Sequence, residues 1–278
     1  MFHYDVNNIQ YPLLIDGGLS NALVKQGCDL NDKLWSAKIL ETNPEAIIQA
    51  HYDYLIAGAK CITSASYQAT IPGFMAVGYS LTEAKALIIK STELAEIAIS
   101  RFKGLDPDGK KPLIAASIGP YGAFLADGSE YHGSYNISDE KLREFHLDRI
   151  RLLDQTNADV FACETIPSFQ EARVLGNILA QTNKSAWLSF SCKDDRHIND
   201  GTRIEECVSY LADHPKIFAL GVNCTAPKYI SGLIKSIKVK SGTKKIVVYP
   251  NSGEVLNAKN KAWYGVSDLN PFFRQGHE

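Results

Sequence analysis

The sequence lacks a strong excess of charge of either sign. Its 29 lysine and arginine residues nearly balance 31 aspartate and glutamate residues, which leaves a net charge of −2. Basic residues also do not form long runs, and pairs such as Lys244-Lys245 are the longest. Nucleic acids and anionic membranes attract proteins through concentrated positive charge. We therefore expect neither a nucleic acid nor a membrane as a partner.

Long apolar runs are also missing. No segment approaches the ~18 consecutive apolar residues typical of a membrane-spanning helix. Residues 1–10 lack the charged start and apolar block of a secretory signal. The six cysteines are widely scattered, and such spacing does not indicate a disulfide framework. These absences predict a cytoplasmic protein with free thiols.

What the sequence does contain is an alternation of short apolar runs and long amphipathic stretches. The short runs are nearly continuously apolar, as is typical of parallel strands covered on both faces. The predicted strands are 13–16, 61–65, 113–118, 160–164, 186–192, 218–223 and 246–250. The predicted helices are 43–57, 81–102, 138–156, 168–181, 204–213 and 228–240. No linker or repeat interrupts the pattern, so we predict one domain over residues 1–278.

Polar and small residues recur where the predicted strands end. Examples are Asp16, Thr63, Glu164, Cys224 and Asn251. A doubly wound sheet gathers ligands near one switch point, whereas a TIM barrel builds its site from the carboxyl ends of many strands. We therefore predict an α/β fold of the TIM (β/α)8 barrel type, truncated before its eighth strand and helix.

Several segments in register resemble one known family. They are Leu14-Ile15-Asp16-Gly17-Gly18, Leu34-Trp35-Ser36-Ala37, Thr63-Ser64-Ala65-Ser66-Tyr67-Gln68-Ala69, Gly119-Pro120-Tyr121-Gly122-Ala123, Gly128-Ser129-Glu130-Tyr131, Cys163-Glu164-Thr165-Ile166-Pro167, Gly221-Val222-Asn223-Cys224 and Tyr249-Pro250-Asn251-Ser252-Gly253-Glu254. Together they resemble the homocysteine S-methyltransferases, particularly the members that use S-methylmethionine as methyl donor.

The resemblance implies a reaction and a metal. The sulfur of homocysteine would attack the methyl group of a sulfonium donor, either S-methylmethionine or S-adenosylmethionine, and methionine would form. A free thiol has a pKa of about 8.5 and is mostly protonated at neutral pH. A thiol bound to zinc is deprotonated. The implied cofactor is therefore a zinc ion that activates the homocysteine thiol.

The resemblance also implies roles for individual residues. Cys224 corresponds to a zinc thiolate, and Glu164 corresponds to the carboxylate that binds the amino group of homocysteine. Asp16 would contact the same substrate. The remaining expected substrate-binding residues are Gly17, Gly18, Thr63, Tyr67, Asn223 and Asn251.

Each role has a structural alternative. A cysteine such as Cys224 can be a small buried apolar residue. Asp16 and Glu164 can cap the turns that follow them. Gly17 and Gly18 can serve a tight turn instead of a ligand carboxylate. Tyr67 on the rim can face a sulfonium through a cation-π contact or simply pack.

The sequence departs from the family after Cys224. The family supplies two further zinc thiolates from a Gly-Gly-Cys-Cys segment on its closing strand, but no cysteine follows Cys224 here. The alternative interpretation is a truncated, catalytically impaired amino-acid-binding remnant of that family. An unpaired barrel edge also predicts either self-association or marginal stability.

Overall fold

The computed structural model describes residues 4–105, 107, 109–252, 255–257 and 262–264, the last two segments as backbone only. The helices in this part of the chain are α1 (Leu19–Lys25), α2 (Ile39–Thr42), α3 (Pro44–Ile56), α4 (Ile71–Ala76), α5 (Leu81–Lys103), α6 (Tyr121–Leu125), α7 (Asp139–Asp154), α8 (Phe169–Leu179), α9 (Ile204–Leu211) and α10 (Pro227–Lys240). The strands are β1 (Cys61–Thr63), β2 (Leu113–Ile118), β3 (Val160–Ile166), β4 (Ala186–Phe190), β5 (Ile217–Asn223), β6 (Lys245–Tyr249), β7 (Val255–Asn257) and β8 (Ala262–Tyr264).

Strands β1 to β6 are hydrogen-bonded in chain order. The pairs β1–β2, β4–β5 and β5–β6 are parallel, and helices separate successive strands. Sequential parallel strands with intervening helices define the TIM-barrel class of α/β fold. Both β2 and β4 are buried along their whole length, which explains their continuously apolar sequences. The predicted fold class is confirmed.

The chain divides into two compact units. The first contains Met1–Gly119, Arg143–Ala162 and Gln181–Ser185, and the second contains Pro120–Leu142, Cys163–Ala180 and Ala186–Glu278. Strand β3 contributes its first residues to the first unit and its last four to the second.

Within the second unit, β5 and β6 approach closely at Gly221. A Cβ atom at this position would overlap the carbonyl oxygen of Val247. Only glycine leaves room for that backbone, so Gly221 fixes the spacing of the two strands just before the site residues Asn223 and Cys224.

Two parts of the strand prediction were wrong. Residues 13–16 do not form a full strand, because Ile15 makes only an isolated parallel bridge to Cys61. This short segment lies between Pro12 and the Gly17-Gly18 pair, and Leu14 is largely exposed. No strand was predicted after residue 250, whereas β7 and β8 pair as a short antiparallel ribbon.

Among the described residues, no helix combines the length and the apolar character that crossing a membrane requires.

Candidate functional site

Cys224 lies just beyond the carboxyl end of β5, in the second unit, and the residue as a whole is partly exposed. Two neighbours donate hydrogen bonds to its sulfur. The Thr165 hydroxyl lies 3.5 Å from Sγ, and the Asn223 Nδ2 lies 3.4 Å from it. Thr165 comes from the end of β3, so residues from two strands aim at one sulfur atom.

A buried hydrogen-bond chain fixes the side chain of Asn223. Its Oδ1 accepts from the Thr165 backbone N–H at 2.7 Å and from the Ser189 hydroxyl at 2.9 Å. Its Nδ2 donates to Thr165 Oγ1 at 2.7 Å. Since the Ser189 proton is used on Asn223, the Tyr249 hydroxyl donates to Ser189 Oγ and accepts from Trp187 Nε1. The donor and the acceptor of each of these hydrogen bonds are therefore determined.

From the sequence, Asn223 was expected to bind substrate. In the structure Asn223 is only 1% exposed, and its side-chain amide is hydrogen-bonded to Thr165, Ser189 and Cys224. Its amide therefore orients the Cys224 thiol, and a direct contact with substrate stays a prediction.

The backbone is strained at both ends of this arrangement. Thr165 has φ of 61° and Cys224 has φ of 47°, which are left-handed values. For a β-branched residue such as Thr165 this conformation is a true outlier that costs on the order of 1–3 kcal/mol. The Asn223 side chain and the Tyr249 carbonyl, which accepts from the Cys224 N–H at 3.3 Å, hold the strained residues in place. Strain of this kind clusters at functional sites.

The surroundings of Cys224 favour a neutral thiol. Burial, together with the negative charges of Glu164 and Glu130 and against the opposing hydrogen bonds from Thr165 and Asn223, raises the pKa of Cys224 to about 11. Burial and then the charge of Glu164 also raise the pKa of Tyr249. Glu164 is partly exposed on β3, whereas the adjacent Cys163 is fully buried. Adjacent residues on a strand point to opposite faces, and of this pair Glu164 is the accessible one.

Glu130 is a candidate residue that sequence reasoning missed. It lies on a short turn, Ser129–Tyr131, and is 8% exposed. Its backbone oxygen lies 3.4 Å from Ser191 Oγ, and the same hydroxyl lies 3.4 Å from the Thr165 carbonyl oxygen. In the sequence, Glu130 was noted only as part of the Gly128-Ser129-Glu130-Tyr131 segment, which contributed to the family resemblance, and no chemical role was predicted for it.

A second group of expected site residues lies in the first unit. The Asp16 carboxylate is 8% exposed and accepts from the Thr63 N–H at 2.8 Å and from the Thr63 hydroxyl at 3.1 Å. Thr63 ends β1, and the Asp16 N–H bonds the Cys61 carbonyl oxygen at 3.0 Å. Thr63 therefore fixes the carboxylate of Asp16 at the end of β1.

Gly17 and Gly18 are exposed and do not have positive φ, so glycine is not required at these positions by a left-handed turn. The Tyr54 hydroxyl donates to the Gly18 carbonyl oxygen at 3.1 Å. A Cβ on Gly17 would lie 3.0 Å from the same hydroxyl oxygen. Burial and then the charge of Asp16 raise the pKa of Tyr54. Gly17 thus leaves room for the Tyr54 side chain, and Gly18 accepts its hydrogen bond.

The last two expected residues are partly exposed. Tyr67 follows β1 in the first unit, and its carbonyl oxygen accepts from the Gly119 N–H at 3.2 Å. Asn251 follows β6 in the second unit, and its N–H donates to the Thr225 carbonyl oxygen at 3.1 Å. That the side chains of Tyr67 and Asn251 contact the substrate stays a prediction.

A metal site is not complete in the part of the chain that the structure describes. No group of three or more histidine, cysteine, aspartate or glutamate residues there could hold a metal ion. Cys224 offers one soft donor, but the two groups hydrogen-bonded to its sulfur, an amide nitrogen and a neutral hydroxyl, both donate to it. Zinc sites need about three protein ligands. The described residues therefore do not fit a zinc ion by themselves.

These features define an α/β protein of the TIM-barrel class with a candidate site around one strand-end cysteine and an acidic neighbour. The sequence pattern of the family described as homocysteine S-methyltransferase matches residues 13–274. The chain belongs to the homocysteine S-methyltransferase family.

Relatives with assigned names support this membership. The chain is 49% identical over 262 residues to "Homocysteine S-methyltransferase YbgG" of Bacillus subtilis (strain 168), covering 92% of this chain and 83% of that protein. It is 44% identical over 253 residues to "Homocysteine S-methyltransferase" of Escherichia coli (strain K12), covering 91% and 81%. It is also 46% identical over 262 residues to "Selenocysteine Se-methyltransferase" of Brassica oleracea var. italica, covering 90% and 75%.

A solved structure gives the same fold. The metallated form of the homocysteine methyltransferase MmuM from Escherichia coli matches with a TM-score of 0.84 at 44% identity, covering 89% of this chain and 86% of that one. The family resemblance and the barrel fold predicted from the sequence are therefore confirmed.

Proposed function

We propose that this protein transfers a methyl group from a sulfonium donor to the sulfur of L-homocysteine, giving methionine. The observation that carries the proposal is the oriented thiol of Cys224, fixed by Thr165 and Asn223 beside the carboxylate of Glu164. Membership of the family, whose relatives are named for homocysteine, supports the substrate. S-methylmethionine is the proposed donor, and S-adenosylmethionine is the alternative sulfonium.

The reaction balances without a redox partner. The homocysteine sulfur forms a new bond to the methyl carbon while the bond from that carbon to the sulfonium sulfur breaks. The homocysteine thiol loses its proton to solvent. S-methylmethionine, having lost one methyl group, leaves as a second molecule of methionine. A sulfonium cation and a thiolate become two neutral thioethers. Because charge disappears along this path, a site that excludes water favours it.

The proposed roles follow the charges of the substrate. Glu164 pairs with the substrate ammonium group in the second unit, and it is partly exposed and therefore accessible. Asp16, fixed by Thr63, is a further carboxylate for that substrate, with Gly17 and Gly18 beside it. Tyr67 and Asn251 complete the proposed contacts within a single functional domain, residues 1–278.

Zinc chemistry is not assigned to the described residues. Cys224 would supply one thiolate, and the further donors that a zinc ion needs are not found among them. The location in the cytoplasm stays a prediction. Self-association is a proposal as well: within the described residues, β6 pairs only with β5, and an unpaired edge can recruit a second chain.

The proposal is tested with S-methylmethionine whose methyl groups carry deuterium. The purified protein, supplied with zinc and L-homocysteine, should yield labelled methionine, as measured by mass spectrometry. Cys224→Ser should abolish labelled product, whereas Cys207→Ser, which changes a buried cysteine on α9, should retain it. Absence of labelled methionine with both sulfonium donors would favour the amino-acid-binding remnant instead.

A further inference from the structure

The side chain of Arg149 is buried without being part of the proposed site. It lies on α7, in the first unit, with 1% of its surface exposed. Arginine is almost never buried this deeply unless its charge is compensated by partners. A guanidinium in such a position must therefore be compensated by specific contacts that a change of residue would disrupt.

Two backbone carbonyls accept hydrogen bonds from the guanidinium. Nη2 donates to the Gly119 oxygen at 2.8 Å, and Nη1 donates to the Tyr67 oxygen at 3.3 Å. The group also lies 5.3 Å from the ring centroid of Phe145. Gly119 follows β2 and Tyr67 follows β1, so one side chain joins the ends of two neighbouring strands.

His146 fixes the other side of the guanidinium. Its Nδ1 lies 2.9 Å from Arg149 Nη2, and the ring is fully buried. An arginine has only donors, so His146 Nδ1 must accept and the imidazole is neutral, with its proton on Nε2. The arginine therefore does not face a second positive charge there.

The segment around Tyr67 has little freedom where Arg149 holds it. The Gly119 N–H already donates to the Tyr67 oxygen at 3.2 Å, and Arg149 bonds the same oxygen. A Cβ on Gly119 would lie 2.5 Å from that oxygen and 2.9 Å from the Tyr67 ring. Next to it, the Ser66 hydroxyl donates to the Ser117 carbonyl oxygen at 2.6 Å. The position of the Tyr67 ring thus depends on how closely these two strand ends are joined.

We propose that Arg149 is a positioning residue, which joins the ends of β1 and β2 and thereby sets the Tyr67 side chain for substrate. The proposal rests on the proposed function only in taking Tyr67 as a substrate contact. Arg149 acts through the Tyr67 backbone and does not itself touch the substrate.

Hydrogen exchange followed by mass spectrometry tests the positioning directly. Arg149→Met keeps an unbranched apolar stem but removes all donors, and Arg149→Lys keeps the charge with a single donor group. Arg151→Met, at an exposed arginine on the same helix, is the matched control. We expect exchange in segments 64–70 and 117–121 to rise about tenfold in Arg149→Met, less in Arg149→Lys and not at all in the control.

Exchange that is unchanged in both Arg149 variants would overturn the proposal, and so would an equal increase throughout the first unit. If Arg149→Met does not fold, the Arg149→Lys pattern decides between these results.

Calorimetry with S-methylmethionine and L-homocysteine supplies the functional test. We expect Arg149→Met and Tyr67→Ala to weaken binding of the same ligand by similar factors, and the double variant to bind no more weakly than either. Fully additive losses would overturn the functional part of the proposal. If the unmodified protein binds neither ligand while the exchange pattern is as expected, the proposed function fails and the structural positioning by Arg149 stands.

Discussion

At the scale of single residues, the site depends on groups that have no sequence signal of their own. The cysteine was conspicuous in the sequence, but the left-handed backbone of Thr165 and Cys224 was not, because φ is set by tertiary bonds rather than by residue type. The role of Asn223 was likewise hidden, since an asparagine at a strand end is equally consistent with a turn. Only the hydrogen-bond chain through Ser189 and Tyr249 assigns it.

The first prediction concerns Asn223. Asn223→Ala removes the acceptor for the Thr165 N–H and the Ser189 hydroxyl, and it leaves a strained, buried backbone without its support. We expect the free energy of unfolding to fall by about 2–3 kcal/mol, as measured by urea denaturation. Asn251→Ala, at a partly exposed asparagine, is the control and should change it by less than about 0.5 kcal/mol. Equal effects of the two changes would show that the buried hydrogen bonds of Asn223 do not stabilise the fold.

At the scale of elements, the sequence was most informative where burial is complete. The predicted strand 113–118 matches β2, and the predicted helix 81–102 matches α5 within one residue. The segment at 13–16 was predicted wrongly because a short apolar run has the same appearance whether it pairs along its length or at one bridge. Short helices such as α1 and α4 were missed since they have too few turns to show a period.

The second prediction concerns the start of α5. The Ser80 hydroxyl accepts from the Glu83 N–H at 3.3 Å, and the Glu83 carboxylate accepts from the Ser80 N–H at 2.8 Å. Ser80→Ala removes half of this capping box and should destabilise the protein by about 1 kcal/mol. Ser100→Ala, at an exposed serine within the same helix, is the control. A thermal denaturation series with no difference between the two variants would contradict the assigned cap.

At the scale of the whole molecule, stability depends also on buried groups that take no part in the proposed site. His51 on α3 is fully buried, and neither ring nitrogen has a hydrogen-bond partner among the described residues. Burial lowers the pKa of His51 to about 4. In the unfolded chain the same imidazole takes up its proton near pH 6.5. Between about pH 4 and pH 6.5 the unfolded state therefore binds more protons than the folded state does.

The third prediction is a loss of stability in mild acid. The contribution of neutral His51 is complete above about pH 6.5 and is lost as the pH falls from there toward 4. Between pH 7 and pH 5 it should lower the free energy of unfolding by about 2 kcal/mol. Urea denaturation of the unmodified protein and of His51→Leu at both pH values isolates the effect. If the two proteins lose equal stability over this interval, His51 is not the group responsible.

The central claim is that the carboxylate of Glu164, beside the Cys224 thiol, binds the ammonium group of homocysteine. Titration calorimetry with L-homocysteine on the unmodified protein and on Glu164→Gln tests it most directly. Removing one partner of a partly desolvated charge pair costs roughly 2–5 kcal/mol, so affinity should fall at least about 30-fold. Glu140→Gln, at an exposed glutamate on α7, should bind as the unmodified protein does. Unchanged homocysteine affinity in Glu164→Gln would contradict the account.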